Sequence, residues 1–425
     1  MTRSDAFDLA FKVFSYFLCI CCAIYFTVQC IQHFMLDEDV TKIEYRKFHE
    51  DTEAIYPSIT YCIKNPVVSK DNDLIWKKYG DKDPKELRND YIKYLSGLES
   101  SDVFSEKDYD IITKQLETFV EEVVIAFDSN TFVTWKLENK SLILTDAYRK
   151  YATEKNQNTE GHEEVEYLTN EEKQNMASPK FYITQRSTKE KCYTFDVPYI
   201  ENVRVDSFHL HLDPYELFNI NKEKNKRMIN PQEYQSYFRM YFHYPNQKLL
   251  ALSKRSILQS AIYSSLQYNR QHFLKNIEVL RRRNKRSQPC ITEKEYDKII
   301  IEETIESFGC KLPNIDEKNN ASICKGRAIS SKFYNAISKK QHRPPCQGIQ
   351  TINIQDKEFE RSVGKKNDEK KISKVPRKLV QRIYFEDSYF KEMIYIKDYT
   401  FLSLFANAGG YIGKESKTYF SISNS

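Results

Sequence analysis

Val13-Phe-Ser-Tyr-Phe-Leu-Cys-Ile-Cys-Cys-Ala-Ile-Tyr-Phe-Thr-Val-Gln-Cys-Ile-Gln-His-Phe-Met-Leu36 carries no charged side chain over 24 residues, His33 being read as neutral. At ~1.5 Å per residue a helix of that length reaches ~36 Å, enough to cross a ~30 Å hydrocarbon core with tilt. Gln29, Gln32 and His33 fall at one end, within reach of the head groups, and the Lys12 ammonium can snorkel to water at the other. A cleaved signal peptide is the competing reading, but its apolar region runs ~7–15 residues and ends at a small-residue cleavage site. This run is longer, has no A-x-A pattern and meets Asp37-Glu38-Asp39 directly, so an anchor is the stronger reading. Counting Lys and Arg does not orient it: Arg3 and Lys12 precede the run, and Lys42, Arg46 and Lys47 follow it.

Outward from that run the chain is polar. Of 425 residues, 65 are Lys or Arg and 60 are Asp or Glu, a net charge of +5. That balance is too mild for a nucleic-acid binder, which concentrates its basic charge on one face. The 30 Tyr and 26 Phe exclude a wholly disordered chain, and 10 Gly with 13 Pro exclude collagen-like composition. Four of the ten cysteines, Cys19, Cys21, Cys22 and Cys30, lie inside the apolar run, as small packing residues or palmitoylation candidates. The other six are Cys62, Cys192, Cys290, Cys310, Cys324 and Cys346. An even number after an anchor predicts an oxidising compartment and three disulfides, although six cysteines allow about fifteen pairings. Among these six there is no C-x-x-C pair, which argues against zinc. Two sequons, Asn139-Lys-Ser141 and Asn320-Ala-Ser322, make Asn139 and Asn320 glycosylation candidates.

Local patterning predicts a mixed α+β region over residues 37–400, with helices inserted between strands. Strands are expected at Tyr56–Cys62, Lys191–Phe195, Val203–Leu212, Tyr237–Tyr244, Ile383–Phe385 and Met393–Ile396, after a short extended lead-in at Thr41–Glu44. Ser105 to Phe127 reads as a helix, with Ser105 capped against Asp108 and Ile112, Leu116, Phe119, Val123 and Phe127 on one face. Thr292-Glu-Lys-Glu295 reads as a capping box opening a helix that turns Tyr296, Ile299, Ile300 and Ile305 inward and stops at Gly309. Residues 153–176 read as a mobile acidic insertion, 357–378 as a Lys-rich loop, and Arg281–Arg286 as a solvated basic loop with a dibasic protease pattern as the sharper alternative.

Catalytic patterns are sought without success. His209-Leu-His211 puts two imidazoles on one strand face with no third ligand. Gly161-His-Glu-Glu164 lacks the second His of a zinc protease, and Gly409-Gly-Tyr-Ile-Gly-Lys-Glu415 lacks the first Gly and the hydroxyl of a phosphate loop. No G-x-S-x-G occurs. The expectation is a protein that is not an enzyme, with no catalytic residue, cofactor or metal.

Four segments, in order, resemble the degenerin/epithelial sodium channel family. Val40-Thr-Lys-Ile-Glu44 followed by Tyr56-Pro57-Ser-Ile-Thr60-Tyr-Cys62 and Asn65-Pro66 is similar to the start of that family's ectodomain. Lys191-Cys192-Tyr193-Thr194-Phe195 is similar to its C-Y-T-F strand. Pro289-Cys290, Phe308-Gly-Cys-Lys-Leu-Pro313 and Pro345-Cys346 resemble its thumb, and Tyr399 to Gly413, with Gly409, Gly410 and Gly413, resembles the approach to its second membrane helix. The resemblance implies a trimeric, sodium-permeable, amiloride-blocked channel with a palm, finger and thumb, pairing with full-length subunits in the plasma membrane. It implies a cytoplasmic tail at 1–12, a membrane helix at 13–36, an extracellular region at 37–400 with a finger-like part near 100–190 and a thumb-like part near 287–348, and an approach to a second helix at 401–425. It also implies that Cys62 pairs with Cys192 and Cys290 with Cys346, leaving Cys310 with Cys324.

The departures are specific. The tail of about twelve residues lacks the family's His-Gly gating motif, and the thumb has fewer cysteines. Phe34 and Asp37–Asp39 fall at the level of the family's wrist. After Gly413 the chain reads Lys-Glu-Ser-Lys-Thr-Tyr-Phe-Ser-Ile-Ser-Asn-Ser425, twelve residues with three charges, which cannot span a bilayer. The family's selectivity constriction lies in that second helix, so the chain alone is expected not to conduct. A single-pass adhesion or ligand-binding ectodomain is the reading from a different class, and a secreted, signal-cleaved protein is a third.

Overall fold

The computed structural model describes residues 3–36, 39–48, 56–64, 66–68, 72–96, 98–99, 101–128, 130–139, 141–152, 163–186, 190–213, 238–245, 258–260, 268–285, 289–311, 322–323, 345–360 and 379–397, with 332, 335, 336 and 406. In chain order the elements are α1 (Arg3–Leu36), β1 (Asp39–Lys47), β2 (Ser58–Lys64), α2 (Asp73–Trp76), α3 (Pro84–Leu95) and α4 (Tyr109–Ile112). Then come β3 (Val120–Phe127), β4 (Thr131–Glu138), β5 (Ser141–Ala152), β6 (Glu163–Tyr167), α5 (Asn170–Gln174), β7 (Lys180–Arg186), β8 (Glu190–Asp196) and β9 (Val205–Leu212). The rest are β10 (Phe238–His243), β11 (Leu258–Ser260), β12 (Tyr268–Arg281), α6 (Glu293–Phe308), β13 (Cys310–Lys311), β14 (Ser322–Ile323), β15 (Gln347–Glu360), β16 (Leu379–Phe385) and β17 (Tyr389–Lys397). The chain divides into two compact units, residues 1–43 with 393–425, and residues 44–392.

In the first unit, α1 contains a stretch, Ala10–Gln32, long and apolar enough to cross a membrane. Almost none of it is buried, and Phe14, Phe17, Ile24 and Tyr25 stand exposed. Each such side chain left in water forgoes about 1.5–3 kcal/mol of burial, so this is not the core helix of a soluble domain. Its polar groups are satisfied locally, as a lipid environment demands: the Thr27 hydroxyl donates to the Ala23 carbonyl (2.7 Å) and the Gln29 amide to the Tyr25 hydroxyl (2.8 Å).

The second unit is β-rich. The larger sheet has the order β1-β17-β12-β16-β9-β3-β4-β5-β6, with β15 also pairing β12. A five-stranded sheet runs β11-β10-β2-β8-β7. Their apolar faces share one core, in which Ile59, Tyr61, Tyr193 and Phe195 of the smaller sheet join Val123, Ile125, Phe208, Leu210, Leu274 and Ile383 of the larger. A second core belongs to the helical segment. Leu87, Tyr91, Tyr94 and Leu95 recur at helical spacing along α3 and pack with Trp76, Phe104, Tyr109 and Ile112. The architecture is the mixed α+β region that the patterning predicts, with one apolar N-terminal helix and a large β-rich body.

Several local expectations are corrected. The helix expected over Ser105–Phe127 breaks in two. Asp108 does accept from the Ser105 N–H (2.6 Å) and hydroxyl (2.8 Å), but α4 ends at Ile112, and Val120–Phe127 is strand β3. Val120, Val123, Val124 and Ile125 are β-branched, and β3 pairs β4 on one edge and β9 on the other, so sheet pairing overrides the four-residue recurrence of Phe119, Val123 and Phe127. The acidic insertion is ordered from residue 163: β6 pairs β5, and α5 opens with a capping box between Thr169 and Glu172. Residues 153–162 lie outside the described residues. Of the Lys-rich segment, 357–360 continue β15 against β12, and 361–378 lie outside the described residues. Helix α6 begins after its N-cap Thr292 and stops at Gly309 with φ of +66°, as expected, but the Thr292 side chain makes no capping hydrogen bond, so the expected capping box does not form. Ile300 and Ile305 are buried and Ile299 half-buried; the side chains of Glu295 and Tyr296 are among those not described.

Candidate functional site

The strands β2 and β8 lie 130 residues apart in the chain and side by side in the fold. Their register sets Thr60 opposite Thr194 and Cys62 opposite Cys192, and the two cysteines form a disulfide. Tyr56, Pro57, Thr60, Cys62, Cys192, Tyr193, Thr194 and Phe195 are thus brought together, all buried. Because side chains alternate along a strand, Ile59, Tyr61 and Ile63 enter the core while Ser58, Thr60 and Cys62 line the opposite face. Just ahead of β2, the Tyr56 ring stacks on Phe48 (4.7 Å between centroids) and meets Phe385 edge-on (5.0 Å). Its hydroxyl oxygen accepts the Val205 N–H at 2.9 Å, and burial pushes its phenol well above the ordinary tyrosine value.

The other face of β2 carries a buried polar network. His243 of β10 is fully buried, which lowers its pKa to about 4 and keeps it neutral at physiological pH. Its Nδ1 lies 2.8 Å from the Tyr244 carbonyl, an acceptor only, so Nδ1 carries the proton and Nε2 the lone pair. Thr60 therefore donates to Nε2 (2.7 Å), and its oxygen accepts from the Thr194 hydroxyl (2.5 Å). Two residue pairs along, on the same face, the Asp196 carboxylate accepts from the Ser58 hydroxyl and from the Tyr182 hydroxyl (3.2 Å). Burial raises the Asp196 pKa, while these two donors and Lys180 pull it back.

Serine, histidine and aspartate thus share one strand face, the raw material of a hydrolase, but they are wired differently. Asp196 holds Ser58 directly, and His243 leans on a backbone carbonyl. Thr60 and His243 have no exposed surface, and a base with a pKa of about 4 takes protons poorly at neutral pH. The network orders the sheet.

Two charge clusters complete the region. Lys191 of β8 has no exposed surface, yet its ammonium is fully engaged. It lies 2.9 Å from the Thr113 hydroxyl, 3.4 Å from the Gln115 amide oxygen and 3.3 Å from Asp110, over the rings of Tyr109 (5.4 Å) and Tyr193 (5.5 Å). It ties β8 to the segment around α4. In the larger sheet Glu392 of β17, 2% exposed, lies 2.6 Å from the Arg46 Nε of β1 and 2.8 Å from the Arg281 Nε of β12. Beside it, Lys391 pairs with Glu278 at 2.9 Å, and Glu278 also accepts from Thr351 (2.8 Å), contacts that lower its pKa.

This revises the basic run. Arg281 pairs with Glu392, and Arg282 donates to the carbonyls of Cys346 (backbone N–H, 2.6 Å) and Pro345 (guanidinium, 2.9 Å), so the start of Arg281–Arg286 is pinned rather than solvated. Cys290 and Cys346 are disulfide-bonded around α6. Cys310 is also disulfide-bonded, while Cys324 lies outside the described residues, as do Asn320, Gly409, Gly410, Gly413, Asn65 and Arg286. His209 and His211 do share a strand face. Each has a local partner, Ser207 (2.9 Å) and Glu122 (2.9 Å), and burial with the nearby Arg382 lowers the His209 pKa to about 3. Among the described residues no group of three His, Cys, Asp or Glu side chains could hold a metal ion. Sequence reasoning missed Asp196, His243 and Glu392, and placed Lys191 in its strand without a role. Of the three missed, Asp196, directly after the strand motif, carried a local signal.

No family model matches the chain, and no curated protein matches it. Among solved structures, the cryo-EM structure of a proton-activated chloride channel is similar over 96% of this chain and 94% of that chain, at 6% sequence identity and a TM-score of 0.28, too low to assign a fold or a function.

Proposed function

We propose that the chain is a subunit of a stimulus-gated, sodium-permeable, amiloride-sensitive channel of the degenerin/epithelial type. It is anchored by α1 with its N-terminus in the cytoplasm and its β-rich region outside the cell, and it assembles as a trimer with full-length subunits. One observation carries the reading: two segments that resemble the family, far apart in sequence, are adjacent strands in register, closed by the Cys62–Cys192 disulfide. The membrane-length helix ahead of them and disulfides suited to an oxidising compartment support it. An ion-selective constriction takes a ring of oxygen ligands. By the resemblance, that ring belongs to the family's second membrane helix, whose approach Tyr399–Gly413 resembles.

Voltage clamp tests this. Co-expression of the chain with a family subunit is expected to change the amiloride-sensitive sodium current that the subunit carries. If the chain reaches the surface and leaves every such current untouched, the channel reading fails and a single-pass adhesion or ligand-binding ectodomain replaces it.

A further inference from the structure

Strands β4 and β5 pair antiparallel, with Glu138 opposite Ser141 at the end where Asn139 lies. Asn139 takes a φ of +49°, the left-handed region that Asn enters more readily than most residues, and it is exposed. Just before it, Lys136 and Glu138 form an ion pair at 2.8 Å with both side chains about half in water. This end of the hairpin therefore projects into solvent. Asn139-Lys140-Ser141 makes an N-glycosylation sequon. Sequence pattern and surface position are independent observations, and they coincide here.

We propose that Asn139 is a glycosylation site, taking an oligosaccharide from a lipid-pyrophosphate-linked donor. The Asn139 Nδ2 forms a bond to C1 of the donor's reducing-end sugar. The C1–O bond to pyrophosphate breaks with its electron pair on the departing lipid pyrophosphate, and one amide proton goes to a base. A glycan is bulky and strongly hydrated, so it is compatible with folding only where the asparagine points into water. The hairpin tip meets that requirement. The proposal needs the β-rich region to be exported, as its disulfides do, and it does not depend on channel activity.

The full chain is expressed in a eukaryotic secretory host and treated with peptide-N-glycosidase, which leaves aspartate where a glycan stood. Wild type is expected to show aspartate at 139 by peptide mass spectrometry and a mobility step on treatment. Asn139→Gln would strain the left-handed backbone, so two gentler variants are used. Asn139→Asp keeps a residue that tolerates that φ, and Ser141→Ala leaves the amide in place while removing the hydroxyl the sequon needs. Both are expected to lose one mobility step while retaining the Cys62–Cys192 bond. An unmodified Asn139 in chain whose Cys62–Cys192 bond has formed overturns the proposal, as does a mobility step that persists unchanged in both variants.

Discussion

Glu392 shows how much a single buried carboxylate can organise. Its attraction for Arg46 and Arg281 offsets its own desolvation, and without it two guanidiniums face each other across β17. Breaking a buried pair by removing one partner costs about 3–5 kcal/mol, because the remaining charge stays buried. Glu392→Gln is therefore expected to lower the unfolding midpoint of the detergent-solubilised chain sharply. Arg281→Met, which leaves Arg46 to neutralise the carboxylate, should lower it less, and equal losses would contradict the shared clasp. Thr60 makes a neutral counterpart. Thr60→Val keeps the shape but leaves the His243 Nε2 without a donor in a dry interior, at a cost of about 1–3 kcal/mol. Thr60→Ser restores the hydroxyl and should recover most of that stability in the same unfolding measurement. Neither cluster was legible in the sequence: Arg46 and Glu392 are joined by the closing of a sheet, which leaves no local pattern to read.

At the scale of elements, what the sequence announced was whatever has a local cause. Helix α6 starts directly after Thr292 and ends at a glycine whose φ of +66° suits a left-handed cap. A Cβ added at Gly309 would meet nothing within 4 Å, so Gly309→Ala should cost only the backbone preference, about 1 kcal/mol in thermal unfolding; a much larger loss would mean the cap is crowded. The strands holding Tyr56–Cys62 and Cys192–Phe195 were legible from alternation and β-branched content. Strand β3 was not, because Phe119, Val123 and Phe127 satisfy a helical period as well as a strand's, and the partners that decide between them, β4 and β9, begin at residues 131 and 205. Thr169 and Glu172 held a readable capping box inside an acidic stretch that composition alone marked as unstructured. The disulfides act over longer loops. Cys62–Cys192 closes 130 residues and Cys290–Cys346 closes 56, so loop entropy predicts about 5 and about 4 kcal/mol lost from Cys62→Ser and Cys346→Ser. Chemical denaturation of the two variants checks both the size and the order.

For the whole molecule, the buried histidines make stability depend on pH. His243 has a folded pKa of about 4 and His209 of about 3, each below an ordinary value of 6.5. As pH falls below 6.5, the unfolded chain takes up protons at these two positions while the folded chain refuses them until near pH 4 and pH 3. The unfolded state binds more protons across that window, so acid shifts the equilibrium toward it. At 1.36 kcal/mol per pKa unit, His243 removes on the order of 3 kcal/mol and His209 on the order of 5 kcal/mol between pH 7 and the bottom of its window. Stability is full above about pH 7 and falls most steeply between pH 6 and pH 4. Asp196 works against this: its raised pKa means that the folded chain holds a proton there more readily than the unfolded chain, so it favours folding at the acid end and loses that contribution as pH rises through its folded value. The groups around the imidazoles set their separate signatures. Among the described residues His243 is held by Thr60 and the Tyr244 carbonyl, whereas His209 lies near the Arg382 cation and His211, both of which oppose its protonation. His243→Gln offers Thr60 another acceptor and does not titrate, so it should remove about half of the acid-side slope while leaving stability at pH 7 within about 1–2 kcal/mol of wild type. Unfolding midpoints measured from pH 7.5 to pH 4 in wild type and this variant decide the matter: parallel curves would mean that His243 is not the buried neutral imidazole around which the β2 network is built.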